Sequence, residues 1–165
     1  MPQLTNIAST LIRDVINDTI SLLVFNRKEA ARLLIDLQQY FPTGLFHRSG
    51  IPVKDLPTPN PARPKYKLED TLVDAVFSEL FRLPLTKERE VYYAALLTEI
   101  TKLAPQDVAP TLGRAIRWIY ERLDTFKGEL NMRFSTWFAI HLSNFGFTYK
   151  WEEWYYPQTR GECNV

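Results

Sequence analysis

Cysteine is nearly absent from this chain of 165 residues: Cys163 stands alone, so no disulfide forms within the molecule and nothing in the thiol content points to secretion. Histidine is almost as scarce. His47 and His141 lie far apart, no HExxH or CxxC occurs, and no glycine-rich phosphate loop follows a strand, so the usual signatures of zinc, redox and nucleotide chemistry are missing. Ser143 lacks the GxSxG setting of a hydrolase nucleophile. Neither sign of charge dominates. With 20 Lys and Arg against 19 Asp and Glu, the formal net charge is +1, which argues against a protein whose main work is gripping bare nucleic acid by its phosphates. No apolar run approaches the ~20 residues that a membrane span needs, and Met1 is followed by Pro2 and Gln3 rather than by a basic stretch and an apolar core. The expectation is a soluble intracellular chain with no membrane contact, no metal and no cofactor. A single domain over residues 1–165 suffices, since a chain of this size buries roughly 70% of the surface that its unfolded form exposes.

Apolar residues at helical spacing are what the chain has in quantity. Leu4, Ala8, Leu11, Ile12, Val15 and Leu22 predict a first helix, and Ala30, Leu33, Leu34, Leu37 and Phe41 a second, opened by Asn26 as a cap with Glu29 three positions on. Val73, Val76, Phe77 and Leu80 mark a third, and Tyr93, Leu96, Leu97, Ile100 and Leu103 a fourth, after Leu83-Pro84-Leu85-Thr86. A fifth stripe runs Val108, Leu112, Ala115, Ile116, Ile119 and Leu123, with Asp107 expected to cap it and Pro110 to fall in its first turn. The sixth runs Leu130, Phe134, Trp137, Phe138, His141, Leu142 and Phe145, with Gly146 placed to end it. Six prolines between Pro42 and Pro64 exclude helix there. A mobile, exposed loop over 42–67 is expected, along with a short C-terminal tail over 155–165. The class is therefore all-α: six helices on short links stack most simply as three antiparallel pairs, and an independent bundle would explain the same stripes.

Two constellations invite a chemical reading. His141 lies at helical spacing from Arg133, Trp137 and Asn144, and joining it to Asp124 would make an acid–base pair; its place in the apolar stripe favours a core histidine bonded to a carboxylate or carbonyl. Arg122 and Asp124 close the fifth helix, and Arg133 stands one turn into the sixth. Their spacing suggests ion pairing between helix ends, with Asp124 accepting from the start of the sixth helix, Thr125 capping it and Arg122 reaching carboxylates of a neighbouring hairpin. The arrangement reads as a structural lock before a partner contact.

Four short runs carry a resemblance: Arg122-Leu123-Asp124-Thr125, then Arg133-Phe134 with Trp137-Phe138, then His141-Leu142-Ser143-Asn144-Phe145, then Trp151-Glu152-Glu153-Trp154. In that order and spacing the chain resembles the second helical domain of the large subunit of the nuclear cap-binding complex, a relative of the middle domain of eukaryotic initiation factor 4 gamma. Val76 to Pro84 and Ala95 to Ile100 extend the likeness, which covers residues 70–155 well and 1–68 loosely. The resemblance implies a short α-solenoid of about three HEAT-like antiparallel helix pairs. It also implies a non-catalytic scaffold in the nucleus that serves mRNA processing and export, with a small cap-binding subunit carrying an RNA-recognition motif as its partner. Capped RNA would be held only indirectly. Trp151, Glu152 and Trp154 could pose as half of an aromatic cap pocket, since methylated guanine is flat and cationic. Packing of a short seventh helix onto Phe145 and Phe147 explains them better, and in that family the cap sits in the small subunit. Two alternatives stand beside this reading. One is a translation-initiation scaffold domain. The other is a helical enzyme or apolar-ligand binder, with a pocket lined by Tyr92, Trp118, Tyr120 and Trp137.

Overall fold

The structure, a computed structural model, describes residues 7–49 and 66–149. Six helices run through them: α1 (Ile7–Leu22), α2 (Arg27–Asp36), α3 (Leu68–Leu80), α4 (Glu90–Leu103), α5 (Pro105–Tyr120) and α6 (Gly128–Asn144), with short 3-10 turns at Leu37–Tyr40 and Leu123–Thr125. Among the described residues there is no strand; extended pairing is limited to one isolated bridge between Phe46 and Tyr66. The chain is all-α.

Packing sorts the helices into two layers. α1, α3 and α5 lie side by side in one, and α2, α4 and α6 in the other, while α1 with α2 and α3 with α4 close the first two hairpins. This is the stacking of a short solenoid, in which each pair buries its inner face against the next. α6 rests chiefly on α4 rather than on its own partner α5. Its rings also reach the C-terminal end of α3, where Trp137 meets Phe77 edge-on at 4.8 Å and Phe134 meets Phe81 at 6.4 Å.

Local sequence accounts for three helix ends. Asn26 Oδ1 accepts from Glu29 N at 3.3 Å and so satisfies one of the orphan donors that open α2. α6 stops in a Schellman turn, where Gly146 takes φ 63°, Phe147 N–H reaches Leu142 O at 2.8 Å and Gly146 N–H reaches Ser143 O at 3.3 Å. α5 begins earlier than its stripe predicts. Pro105 holds the first helical position, Ala104 rather than Asp107 occupies the cap, and Pro110 lies inside the helix. Pro105 already supplies the φ that starts a helix and lacks only an N–H that would be unpaired there.

Two further expectations change. In α1 the core face is Ser9, Ile12, Ile16 and Ile20, whereas Leu11, Val15 and Leu22 are exposed. The helix carries apolar residues on both sides, and spacing alone does not say which side faces α2 and α3. The proline-rich loop, in the part described, has a closed base: Tyr66 is buried, Tyr66 N–H donates to Leu45 O at 2.9 Å, and His47 N–H donates to Tyr66 O at 2.8 Å. Residues 50–65 and 150–165 lie outside the described residues, and with them the remainder of that loop and the tail.

Arginine–carboxylate pairs stitch both layers to the central hairpin. α3 offers Asp74 to Arg13 of α1 and Asp70 to Arg114 of α5 at 3.0 Å; α4 offers Glu99 to Arg27 of α2 at 3.5 Å and Glu90 to Arg133 of α6 at 3.1 Å. The acids sit on the middle pair and the arginines on the flanking ones. Burial outweighs the Arg13 attraction at Asp74 and raises its pKa, so this pair fixes how α1 lies on α3 more than it adds stability.

Candidate partner-contact site

The residues singled out by sequence fall into two groups. Arg133, Trp137 and His141 lie buried in successive turns of α6, at the corner where it meets α3 and the α3–α4 turn. Arg133 acts as a clamp. Its guanidinium donates to Arg82 O and Pro84 O, both at 2.9 Å, and pairs with Glu129 at 2.8 Å and Glu90 at 3.1 Å. A planar fork with five donors suits this task, because it closes two loop carbonyls and two carboxylates at once. The expected partners Arg122 and Asp124 are not among them. The link lies instead between α6 and the start of α4.

Trp137, 2% exposed, sits amid Phe77, Phe134, Phe138 and His141. His141 stacks on it with ring centroids 5.2 Å apart and leans against Phe145 at 4.8 Å. Its Nδ1 has no hydrogen-bond partner. A histidine bonded to a carboxylate or carbonyl was expected; the ring is held by aromatic faces instead. Burial lowers its pKa from 6.5 to about 4, so it is neutral near pH 7. Asp124 is exposed and makes no contact with it, which removes the acid–base pair.

The second group is on the surface. Arg122 donates to Trp118 O at 3.1 Å, lies 4.3 Å over the Trp118 ring and pairs with its neighbour Glu121 at 3.7 Å, all within one helix end rather than across to another hairpin. Thr125 donates its hydroxyl to Arg122 O at 2.7 Å, so it closes the turn and does not cap α6. Asp124 accepts nothing from the start of α6; Lys127 holds that cap position. Asn144 is exposed and bonds back to Ile140 O at 3.0 Å. Trp151, Glu152 and Trp154 lie outside the described residues. The aromatics of the alternative pocket have separate surroundings: Tyr92 donates to Ile20 O at 3.0 Å, Trp118 is 47% exposed under Arg122, and Trp137 is sealed in the core.

Sequence reading missed Glu90 and the carbonyls of Arg82 and Pro84. The i, i+4 spacing of Glu129 and Arg133 was the one available signal. Among the described residues no group of three or more His, Cys, Asp or Glu is placed to hold a metal ion, and no helix is long and apolar enough to cross a membrane.

Comparison with known proteins places this architecture. A family model described as MIF4G like matches residues 2–159. The chain belongs to the MIF4G-like family. The two-layer stack is accordingly a HEAT-like helical solenoid. Among proteins similar to this MIF4G-like chain is nuclear cap-binding protein subunit 1 of Schizosaccharomyces pombe, 42% identical over 153 residues, 93% of this chain and 20% of that protein. The Saccharomyces cerevisiae nuclear cap-binding protein complex subunit 1 is 38% identical over 150 residues, 89% of this chain and 17% of its own length. Its Homo sapiens counterpart is 40% identical over 94 residues, 57% of this chain and 12% of that protein. The MIF4G-like chain thus spans a fifth or less of the length of these relatives.

Proposed function

We propose that this MIF4G-like domain is a non-catalytic helical scaffold of a nuclear cap-binding complex. In this reading it contributes part of the surface that holds an RNA-recognition-motif subunit, so that capped RNA is reached only through that partner, in mRNA processing and export. The observation that carries the reading is the 42% identity to a nuclear cap-binding subunit over 153 residues, a stretch that takes in both helical layers and not one motif alone. Nuclear location comes with it, from the names of those relatives. The residue chemistry supports a scaffold. Arg133, Trp137 and His141 are consumed in holding α6 on α3 and α4, while the near-neutral charge offers no electrostatic funnel for RNA.

Calorimetry against the RNA-recognition-motif subunit, paired with a fluorescence titration of the chain with a methylated cap analogue, tests both halves. Weak, salt-tolerant heat with the subunit and no quenching by the cap are expected. A chain that gives no heat with the subunit would lose the scaffold reading, and so would saturable cap quenching that vanishes in Trp151→Ala.

A further inference from the structure

α1 is apolar on two opposite sides. Ile12, Ile16 and Ile20 line the core, and at 3.6 residues per turn Ile7, Leu11, Val15 and Leu22 gather on the other side. These four are 78%, 57%, 40% and 74% exposed. Single exposed apolar residues need no explanation, but four on one face along a helix about 24 Å long form a contiguous patch. Among the described residues, α1 has α3 beside it in its layer on one side only.

Charge narrows what can cover it. Asp18 lies within the patch, between Val15 and Leu22, and Asp14 borders it; both are exposed, and no ion pair or hydrogen bond engages either side chain. The nearest cation on the helix, Arg13, is turned away and tied to Asp74 and Ser78 on α3. A second copy of the chain docking about a two-fold axis would bring the aspartates of both copies into one desolvated seam, where like charges repel. An anionic membrane or a nucleic acid meets the same repulsion.

We propose that the outer face of α1 docks an amphipathic helix of a partner protein, one whose apolar stripe is flanked by lysine or arginine. Leu11, Val15 and Leu22 receive the stripe, and Asp14 and Asp18 receive the cations, which supplies both the apolar burial and the charge match that recognition by a helix face needs. The proposal is independent of the RNA-recognition-motif reading, and its failure leaves that reading untouched.

The test is fluorescence anisotropy of a labelled synthetic helix of about 18 residues, long enough to cover α1, with a leucine stripe flanked by lysines. A matched peptide carries glutamate at every lysine position. The full 165-residue chain should bind the lysine peptide saturably and the glutamate peptide at least ~10-fold more weakly. Leu11→Gln with Val15→Gln should weaken lysine-peptide binding at least ~10-fold, with the melting temperature unchanged because both residues are exposed. Asp18→Lys should reverse the preference between the two peptides. Three outcomes would overturn the proposal: lysine-peptide binding that ignores the double variant, no reversal in Asp18→Lys, or sedimentation showing a dimer of the chain that Leu11→Gln dissolves.

Discussion

At the scale of single residues, the two tryptophans described in full have opposite duties. Trp137 is enclosed by four rings at the junction of α3 and α6, so Trp137→Ala should cost about 3 to 5 kcal/mol, the range for emptying a large aromatic site in a core. Trp118→Ala removes only a surface stack with Arg122 and should cost less than about 1 kcal/mol. Urea midpoints of the two variants decide the matter, and similar losses would mean that Trp118 is covered in solution. His141 makes stability depend on pH. Its folded pKa of about 4 lies below the 6.5 of the free side chain, so between these values the unfolded chain binds a proton that the folded one refuses. The contribution is fully present above pH 6.5 and is lost as pH falls through 4, up to roughly 3 kcal/mol. His141→Phe, whose flat ring can keep the stack on Trp137, should lose that part of the dependence. Equal slopes of stability against pH for parent and variant would exclude His141 as the source.

At the scale of elements, helix ends and glycines respond in opposite directions. Gly146 closes α6 at φ 63°, and a Cβ there would meet only Thr148 Oγ1 at 3.9 Å, so Gly146→Ala should destabilise by about 1 kcal/mol through backbone strain and not through crowding. Gly113 lies inside α5 with nothing within 4 Å of an added Cβ. Gly113→Ala should therefore raise stability by about 0.5 to 1 kcal/mol, and thermal denaturation of both variants reads the two signs. Arg133 joins elements that no turn connects. Arg133→Ala would remove the donor that the carbonyls of Arg82 and Pro84 share with the half-exposed carboxylates of Glu90 and Glu129, an expected loss of about 1 to 3 kcal/mol because water can reach those partners. A loss below about 1 kcal/mol, within the range of an exposed pair, would show that the clamp is dispensable.

At the scale of the whole molecule, the central hairpin is the keystone of both layers. α3 touches helices on both sides in its layer and α4 does so in the other, and together they carry the longest sets of buried residues. In a stacked array stability is roughly the sum of each unit and its interfaces, so units with two interfaces outlast those with one. Amide hydrogen exchange should be slowest in α3 and α4 and faster in α1. Slowest exchange in α1 would instead place the stable nucleus at the edge, or reveal that its outer face is already covered in solution.

The six helices of the described residues, most of their faces, the Asn26 cap and the Gly146 stop were legible in the sequence, because each depends on residues three or four positions apart whose geometry a helix dictates by itself. The family was legible as well, since its runs from Arg122 onward keep their order and spacing whatever packs around them. The inner side of α1 was not legible. Two apolar faces with the same period differ only in what lies across from them, and the residues that choose, Asp74 and Ser78 for Arg13 and the neighbours of Ile12, Ile16 and Ile20, belong to other helices. The same holds for Arg133. Its partners at Arg82 and Pro84 lie 51 and 49 positions away, brought to it by the stacking of α6 on α4, and such contacts follow from the packing of whole helices rather than from any local pattern.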